Sequence, residues 1–233
     1  MKKIIITMFV LFFVAACSII INTGSLLPSH KTFDVTQAHK SVAEVYFIKI
    51  DNNKQIGLSG TAFAVDRDYL MTAGHVCSEI QKRRTSDKEL IHLGAVFDGL
   101  KVDMGGVKIV LIDVKSDMCV LKKSGHGLFQ LEFVDDYDKD VKFGEKEWVV
   151  GAPLGFMVSW LEGTIMDTDR QERDINTMVI SSPIASGNSG SPVINEFGKV
   201  IGMVVRGTKE YDHIGICVKS TDLKRFLEIA RIF

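Results

Sequence analysis

The chain has 233 residues, a formal net charge of −1 and a hydrophobic fraction of 46%, so its length allows one or two domains. The near-zero net charge gives no electrostatic argument for binding nucleic acid or an anionic membrane surface. The four cysteines and six histidines show no zinc-type spacing and no close histidine pair. We therefore expect no metal site and no cofactor.

The first residues have the layout of an export signal: a basic start, an apolar run from Ile4 to Ala16, and then Cys17. Val14 to Cys17 resembles the lipobox of bacterial lipoproteins, which implies that residues 1–17 are a signal and that Cys17 becomes lipid-modified. Two alternatives are open: Ala16 ends an ordinary secretory signal, or residues 4–21 stay as a membrane helix. All three predict export, either anchored on the outer side of the cytoplasmic membrane or in the cell envelope, or free in the periplasm or medium.

Residues 18–37 show no periodicity and are predicted to be a tether, and residues 38–233 are predicted to fold. Short segments rich in Val, Ile and Phe alternate with turn signals and predict some twelve or thirteen strands. After His75 we expect a short turn and a charged run, Gln81 to Glu89, on the solvated surface. A closing helix is predicted over residues 221–232, capped by Ser220 or Thr221, with an apolar stripe formed by Leu223, Phe226, Leu227 and Ala230.

The run Gly187-Asn188-Ser189-Gly190-Ser191-Pro192 is the strongest functional signal. Its glycines permit a sharp turn and a close approach of a substrate carbonyl to the main chain. The N–H groups of Gly187 and Ser189 suit an oxyanion hole, and the hydroxyl of Ser189 suits a nucleophile. Such a nucleophile requires a neighbouring base, which in turn requires an orienting acid.

Both partners come earlier in the chain. His75 follows the apolar stretch Tyr69 to Met71, so we expect it at the end of a strand, and Asp117 begins the apolar stretch Asp117 to Leu121. With these three motifs the chain resembles the trypsin/chymotrypsin-like serine endopeptidases, in the order His, Asp, Ser, from about residue 42 to residue 233. The resemblance implies an all-β fold of two antiparallel six-stranded barrels, over residues 38–125 and 126–219, with a C-terminal helix.

Short motifs of the chain resemble two branches of this family in particular. A Gly-x-Pro-x-Gly turn at residues 151–155, followed by a strand ending at Ile165, resembles the bacterial high-temperature-requirement branch. Gly-Asn-Ser-Gly-Ser-Pro-Val, at residues 187–193, is shared with the glutamyl endopeptidases. Because the predicted helix closes the chain, we expect no C-terminal peptide-binding domain of the kind found in the first branch.

The resemblance implies that His75 takes the proton of Ser189 as the serine attacks the scissile carbonyl, and that Asp117 orients His75. The N–H groups of Gly187 and Ser189 then hold the oxyanion. Asp113 is the rival for the role of the acid, and Asp117 is preferred because the apolar residues after it match the family pattern.

The resemblance also implies a primary pocket walled by Pro183, Ile184, Ala185, Ser186, Val205, Arg206, Gly207, Gly215 and Cys217, with His213 near the wall. Pro183 stands where trypsin has the aspartate that selects basic side chains, so cleavage after Lys or Arg is not expected. Val204 stands where the glutamyl endopeptidases have a histidine. We expect a small or medium apolar side chain in this pocket.

Asn188 replaces the aspartate that pairs with a new N-terminal amine in family members made as zymogens, so we expect activity without zymogen cleavage. Cys77 follows the histidine closely, where many animal members have a disulfide, but no earlier cysteine of the domain is available to it. Cys119 and Cys217 lie in apolar strands and are expected to be buried small side chains. Stability is therefore expected to depend on the barrel cores.

The predicted function is an exported, membrane-anchored serine endopeptidase that acts on polypeptides, and the sequence leaves its oligomeric state open. One alternative is a catalytically silent protease fold used as a binding module, which a missing triad or oxyanion residue would favour; none is missing. The other is an esterase with the same triad, and a screen of peptides and short esters separates it from a peptidase.

Overall fold

The computed structural model describes residues 33–49, 55–86, 90–97, 100–123, 128–155, 158–172, 175–208, 211 and 213–232. The predicted signal, Cys17 and most of the predicted tether lie outside these ranges. Within them, no helix has the length and apolar character needed to cross a membrane. The same ranges contain no group of three or more His, Cys, Asp or Glu side chains that could hold a metal ion.

A 3-10 helix, Val35–Ser41, leads into the first barrel, which six antiparallel strands close in the spatial order β1-β2-β3-β6-β5-β4. Both faces of its sheet are buried in places: the register partners Leu70 and Leu121 share one face, and Phe63 shares the other with Met71. The strands β1 to β6 are Val42–Lys49, Gln55–Ala64, Tyr69–Ala73, Leu90–Phe97, Leu100–Asp113 and Met118–Lys123.

The second barrel repeats this architecture in the order β10-β11-β12-β9-β8-β7. Ile165, Met178 and Ile201 lie at its centre, almost fully buried. The strands β7 to β12 are Lys146–Gly151, Ser159–Glu172, Ile175–Ile180, Pro192–Ile194, Val200–Gly207 and Gly215–Lys219. The prediction of an all-β fold with two six-stranded barrels is confirmed.

Three α-helices accompany the described strands: α1, Gly74–Ser86; α2, Tyr137–Asp140; and α3, Ser220–Ile229. The expected short turn after His75 is wrong, because α1 begins at once and continues into the charged run. The predicted stripe on α3 is buried at its Leu and Phe positions. The predicted cap is wrong: Lys219 is the N-cap residue without a side-chain hydrogen bond, and Ser220 is buried.

Candidate active site

The serine loop between β9 and β10 depends on two glycines with left-handed backbone. Gly187 has φ +101° and Gly190 has φ +89°, a region that residues with a Cβ adopt only under strain. The Asn188 N–H donates to the Ala185 carbonyl over 3.1 Å, which closes a four-residue turn with Gly187 at its third position. Positive φ at that position alone defines a type II turn and explains the glycine.

The first barrel holds this loop from the other side through Thr61 on β2. Its N–H donates to the Ser189 carbonyl (2.8 Å), and its hydroxyl donates to the Gly187 carbonyl (2.7 Å) and accepts the Ala152 N–H (3.1 Å). Backbones can approach this closely only without side chains between them, and a Cβ at Gly60 would lie 2.7 Å from the Ser189 carbonyl oxygen. Sequence reasoning missed Thr61, for which Gly60 inside a strand was the available signal.

His75 lies two residues beyond the end of β3, in the first turn of α1. Its Nδ1 is 3.0 Å and 2.9 Å from Oδ1 and Oδ2 of Asp117, and its backbone N–H donates to Oδ1 over 2.7 Å. One carboxylate therefore holds both the ring and the main chain of His75. With the proton on Nδ1 donated to Asp117, Nε2 is left to accept a proton.

Asp117 is held in an unusual conformation, with φ +53°, in the turn between β5 and β6. Gly74 packs against this turn, since a Cβ there would lie 2.8 Å from the Asp113 carbonyl oxygen and 2.9 Å from the Met118 nitrogen. Asp113 instead accepts the N–H groups of Lys115 and Ser116 (2.9 and 3.2 Å) and shapes the same turn. Burial raises the pKa of Asp113, but hydrogen bonds from the side chain and main chain of Ser116 and from the main chain of Lys115, together with the charge of Lys115, leave this pKa below its ordinary value.

His75, Asp117 and Ser189 line one open cleft of about 410 Å³, in which Ser189 is partly buried. In the part of the chain that the structure describes, no hydrogen bond joins the Ser189 hydroxyl to His75, and such contacts often tighten only when substrate binds. Seven further residues line the cleft: Ile184, Ala185, Ser186, Val205, Arg206, Gly207 and Thr208. Of these, Thr208 was not predicted.

The other three predicted pocket residues do not line this cleft. Pro183 is exposed, and Cys217 is fully buried among the core side chains of the second barrel. Gly215 contacts Ile184, since a Cβ there would lie 2.8 Å from Ile184 Cγ1. His213 is exposed and also outside the cleft lining.

The peptide between Ser186 and Gly187 is fixed by the turn after β7. The Leu154 N–H donates to the Ser186 carbonyl over 2.6 Å. Because the C=O and N–H of a planar trans peptide point in opposite directions, the Gly187 N–H points away from Leu154. Within the described residues neither Gly187 nor Ser189 donates its N–H to another group, whereas Asn188 does. Two N–H groups near the serine thus remain available to a ligand.

A disulfide joins Cys77 to Cys119, with a Cα–Cα distance of 6.4 Å. The expectation that Cys77 has no partner and that Cys119 is a simple apolar side chain is wrong. Each cysteine follows one member of the His75–Asp117 pair by two residues, so the contact within that pair also brings the sulfurs together. Cys217 is a free, buried thiol, as expected for a small core side chain; burial, and then the charge of Glu147, raises its pKa.

The sequence profile described as "Trypsin-like peptidase domain" matches residues 60–203. The chain is 30% identical over 177 residues to a "Probable periplasmic serine endoprotease DegP-like" of Chlamydia trachomatis, covering 72% of this chain and 33% of that protein. It is 28% identical over 184 residues to "Serine protease Do-like HtrA" of Bacillus subtilis, covering 73% and 38%. The chain therefore spans about a third of the length of the curated relatives it matches.

Solved structures of low sequence identity share the fold. "HtrA-type protease AlgW with decapeptide" superposes with a TM-score of 0.69 at 18% identity, over 84% of this chain and 66% of that one. "Crystal structure of Deg5" gives 0.66 at 20% identity, over 82% and 88%. Paired barrels around a His-Asp pair and a Gly-flanked serine define the class of trypsin-like serine endopeptidases. The chain belongs to the trypsin-like peptidase family, with relatives of the HtrA type.

Proposed function

We propose that the chain hydrolyses peptide bonds through an acyl-enzyme on Ser189, with His75 as base and Asp117 as the orienting acid. The observation that carries this proposal is the pair of contacts that Asp117 makes with the ring and the main chain of His75, across the cleft from a serine on a tight, glycine-flanked turn. A carboxylate on Nδ1 fixes the tautomer whose Nε2 accepts the serine proton, and it stabilises the imidazolium that forms.

The reaction then has two halves. Nε2 of His75 takes the hydroxyl proton as Ser189 Oγ bonds to the scissile carbonyl carbon, and the carbonyl oxygen becomes an oxyanion held by the N–H groups of Gly187 and Ser189. The imidazolium returns its proton to the leaving amine as the C–N bond breaks. A water molecule, deprotonated by the same nitrogen, then releases the acid and restores Ser189.

A fluorophosphonate probe tests the triad, because it labels only a serine activated for attack. We expect labelling of Ser189 in the wild-type protein, and loss of it by more than about a thousand-fold in His75→Ala and Ser189→Ala. Asp117→Asn should lower peptidase turnover by about four orders of magnitude, whereas Asp113→Asn, its matched control, should stay within a few-fold. A folded wild-type protein that takes no label would contradict the proposal and favour the binding-module alternative.

The cleft supports a preference for a small or medium apolar side chain before the scissile bond. Ile184 packs against the paired glycines Gly207 and Gly215: Cβ atoms at these positions would lie 3.3 and 2.8 Å from its side chain. An aliphatic floor of this kind offers no charge to a basic or acidic side chain. Arg206 also lines the cleft, and its charge would disfavour a basic side chain beside it. Digestion of a peptide library with the products sequenced tests this, and dominant cleavage after Lys, Arg or Glu would contradict it.

Asn188 supports activity without zymogen cleavage. Its side-chain amide is fully buried without a hydrogen-bond partner among the described residues, and this group carries no charge that could pair with a freshly cut N-terminal amine. We expect chains with extended and trimmed N-termini to label at the same rate. A full-length form that becomes reactive only after a cut near residue 40 would contradict this.

We further propose that the chain is exported and anchored through Cys17. The basic start, the apolar run and the small residues before Cys17 support this, as does the word "periplasmic" in the name of a relative. Metabolic labelling with an alkyne fatty acid should modify the wild-type chain, while Cys17→Ser should abolish the label. Label that persists in Cys17→Ser, or a wild-type chain recovered only in the cytoplasm, would refute the anchor.

A further inference from the structure

Glu147 on β7 is a buried carboxyl group that the proposed reaction does not use. Its Oε1 accepts the hydroxyl hydrogen of Ser182 over 2.6 Å. Ser182, also fully buried, comes directly before Pro183, where the pocket segment Pro183 to Ser186 begins. The second oxygen, Oε2, is buried without a partner among the described residues. Burying a carboxyl group with one oxygen unpartnered costs free energy. This carboxyl group contacts Ser182, the residue at which the pocket segment begins.

The surrounding backbone is built to admit this carboxyl group. Gly163 is the register partner of Glu147 on β8, and a Cβ there would lie 2.3 Å from Oε1 and 2.6 Å from the Ser182 nitrogen. The preceding Ser181 is tied to β8, since its hydroxyl accepts the Thr164 N–H over 2.9 Å. Two successive serines thus fix the start of the pocket segment: Ser181 binds β8, and Ser182 binds Glu147 at 2.6 Å, with the Leu161 carbonyl of β8 a more distant second acceptor for its hydroxyl at 3.2 Å.

The pocket segment then sets the depth of the cleft. Two residues after Ser182, Ile184 packs against Gly207 and Gly215, which are register partners on the neighbouring strands β11 and β12. A displacement of Ser182 moves Ile184 relative to both glycines, because Pro183 between them has little backbone freedom. The size of side chain that the cleft admits therefore depends on the Glu147–Ser182 hydrogen bond.

The surroundings of Glu147 bring the pKa of its carboxyl group close to neutral pH. Burial raises the pKa of Glu147 to about 7, although hydrogen bonds from Ser182 oppose the rise and the charge of Glu162 adds to it. Glu162 on β8 is ion-paired with Lys146 (2.6 Å), and the buried Cys217 thiol on β12 has its own pKa raised. An ionised carboxylate accepts the Ser182 hydrogen bonds more strongly than a neutral acid does.

We propose that Glu147 is a positioning residue for the primary pocket, which through Ser182 holds the pocket segment so that Ile184 closes the pocket to large side chains. This inference rests on the proposed peptidase function. The hold is firmer when the carboxyl group is ionised, so selection against large side chains is sharper above neutral pH than below it.

Peptidyl diphenyl phosphonates test this, because their binding constant KI reports the pocket and their inactivation constant kinact reports the triad. We would compare probes with a valine and a phenylalanine side chain from pH 6 to pH 8.5, using the full chain. The ratio of their KI values cancels every ionisation that affects both probes equally. In the wild type this ratio, phenylalanine over valine, should rise several-fold with pH, with a midpoint near 7.

Three variants give the test its contrast. Glu147→Gln keeps an acceptor for Ser182 but does not titrate, so its ratio should be independent of pH. Ser182→Ala removes the donor and should lower the ratio up to about ten-fold at pH 8.5, with kinact within a few-fold of the wild type. Glu162→Gln, the control for a lost carboxylate on the neighbouring strand, should keep the pH-dependent rise of the ratio, with its midpoint at a lower pH because the charge of Glu162 no longer raises the pKa of Glu147.

The possible failures are distinguishable. A fluorophosphonate without a peptide side chain does not use the pocket, so absence of its label from the wild type would refute the peptidase proposal itself. Labelling in all variants, with the same pH-dependent ratio in Glu147→Gln as in the wild type, would overturn the inference. Should Ser182→Ala fail to fold, the comparison of Glu147→Gln with Glu162→Gln still decides it.

Discussion

Reduction of the Cys77–Cys119 disulfide should destabilise the protein by an amount set by the loop it closes. The two cysteines are 42 positions apart, and the chain-entropy relation for a loop of this length gives about 4 kcal/mol at 25 °C. With a urea dependence of about 2 kcal/mol per molar for a domain of this size, the unfolding midpoint should fall by about 2 M. The first barrel should carry this loss, because Cys119 lies on its strand β6 and Cys77 lies on α1, which follows its strand β3.

The assay is urea unfolding followed by far-ultraviolet circular dichroism, with and without reductant, and the state of both sulfurs verified by peptide mapping. Tryptophan fluorescence alone is insufficient, since Trp148 and Trp160 both lie in the second barrel. A Cys77→Ala/Cys119→Ala variant controls for other effects of the reductant, to which its midpoint should be insensitive. A wild-type midpoint that moves by less than about 0.5 M on verified reduction would refute the loop-closure reasoning.

Three further predictions, one of them with a control variant, have expected outcomes. The pKa of Glu147 is raised from 4.5 to about 7. Between these pH values the folded state binds more protons than the unfolded state, so the free energy of unfolding falls as pH rises. Glu147→Gln should therefore gain about 3 kcal/mol of stability at pH 8 and little at pH 5 in urea unfolding, and an equal gain at both pH values would contradict this. Gly190→Ala should abolish fluorophosphonate labelling, since its Cβ would lie 2.1 Å from the Thr61 carbonyl oxygen at φ +89°. Gly144→Ala, at φ +82° but in open space, should cost only about 1 kcal/mol and keep full labelling; equal labelling of both alanine variants would show that the clash is unimportant. Ile184→Ala should shift peptide-library cleavage toward larger apolar residues, and an unchanged preference would place the pocket floor elsewhere.

The sequence predicted the barrels and brought His75, Asp117 and Ser189 into one hypothesis because each lies within a local pattern. A strand before the histidine, apolar residues after the aspartate and glycines around the serine are all visible over five or six positions. The sequence favours Asp117 over Asp113 on such a pattern, and the structure shows the physical difference. The Asp113 carboxylate accepts N–H groups of its own turn, whereas the Asp117 carboxylate binds His75.

Features that depend on distant partners were missed. Cys77 and Cys119 are far apart in the chain, and only the geometry of the histidine and aspartate segments brings them together. Thr61 and Glu147 look like ordinary strand residues, and their partners in the serine loop are set by how the strands are arranged in space. The prediction of the α3 cap is wrong for a local reason, since Ser220 is already the first residue of the helix and is buried.

The hydrogen bonds of Thr61 also bear on the stage of folding at which the site is assembled. Thr61 and Gly187 are 126 positions apart, so the entropy of closing that loop must be overcome before the serine turn gains its support. A chain in which only the first barrel has formed holds the histidine and the aspartate but lacks the nucleophile. Refolding should therefore restore chain compactness before it restores reactivity. A chain at that stage has no assembled nucleophile, so it cannot attack a neighbouring chain until its own two barrels have docked.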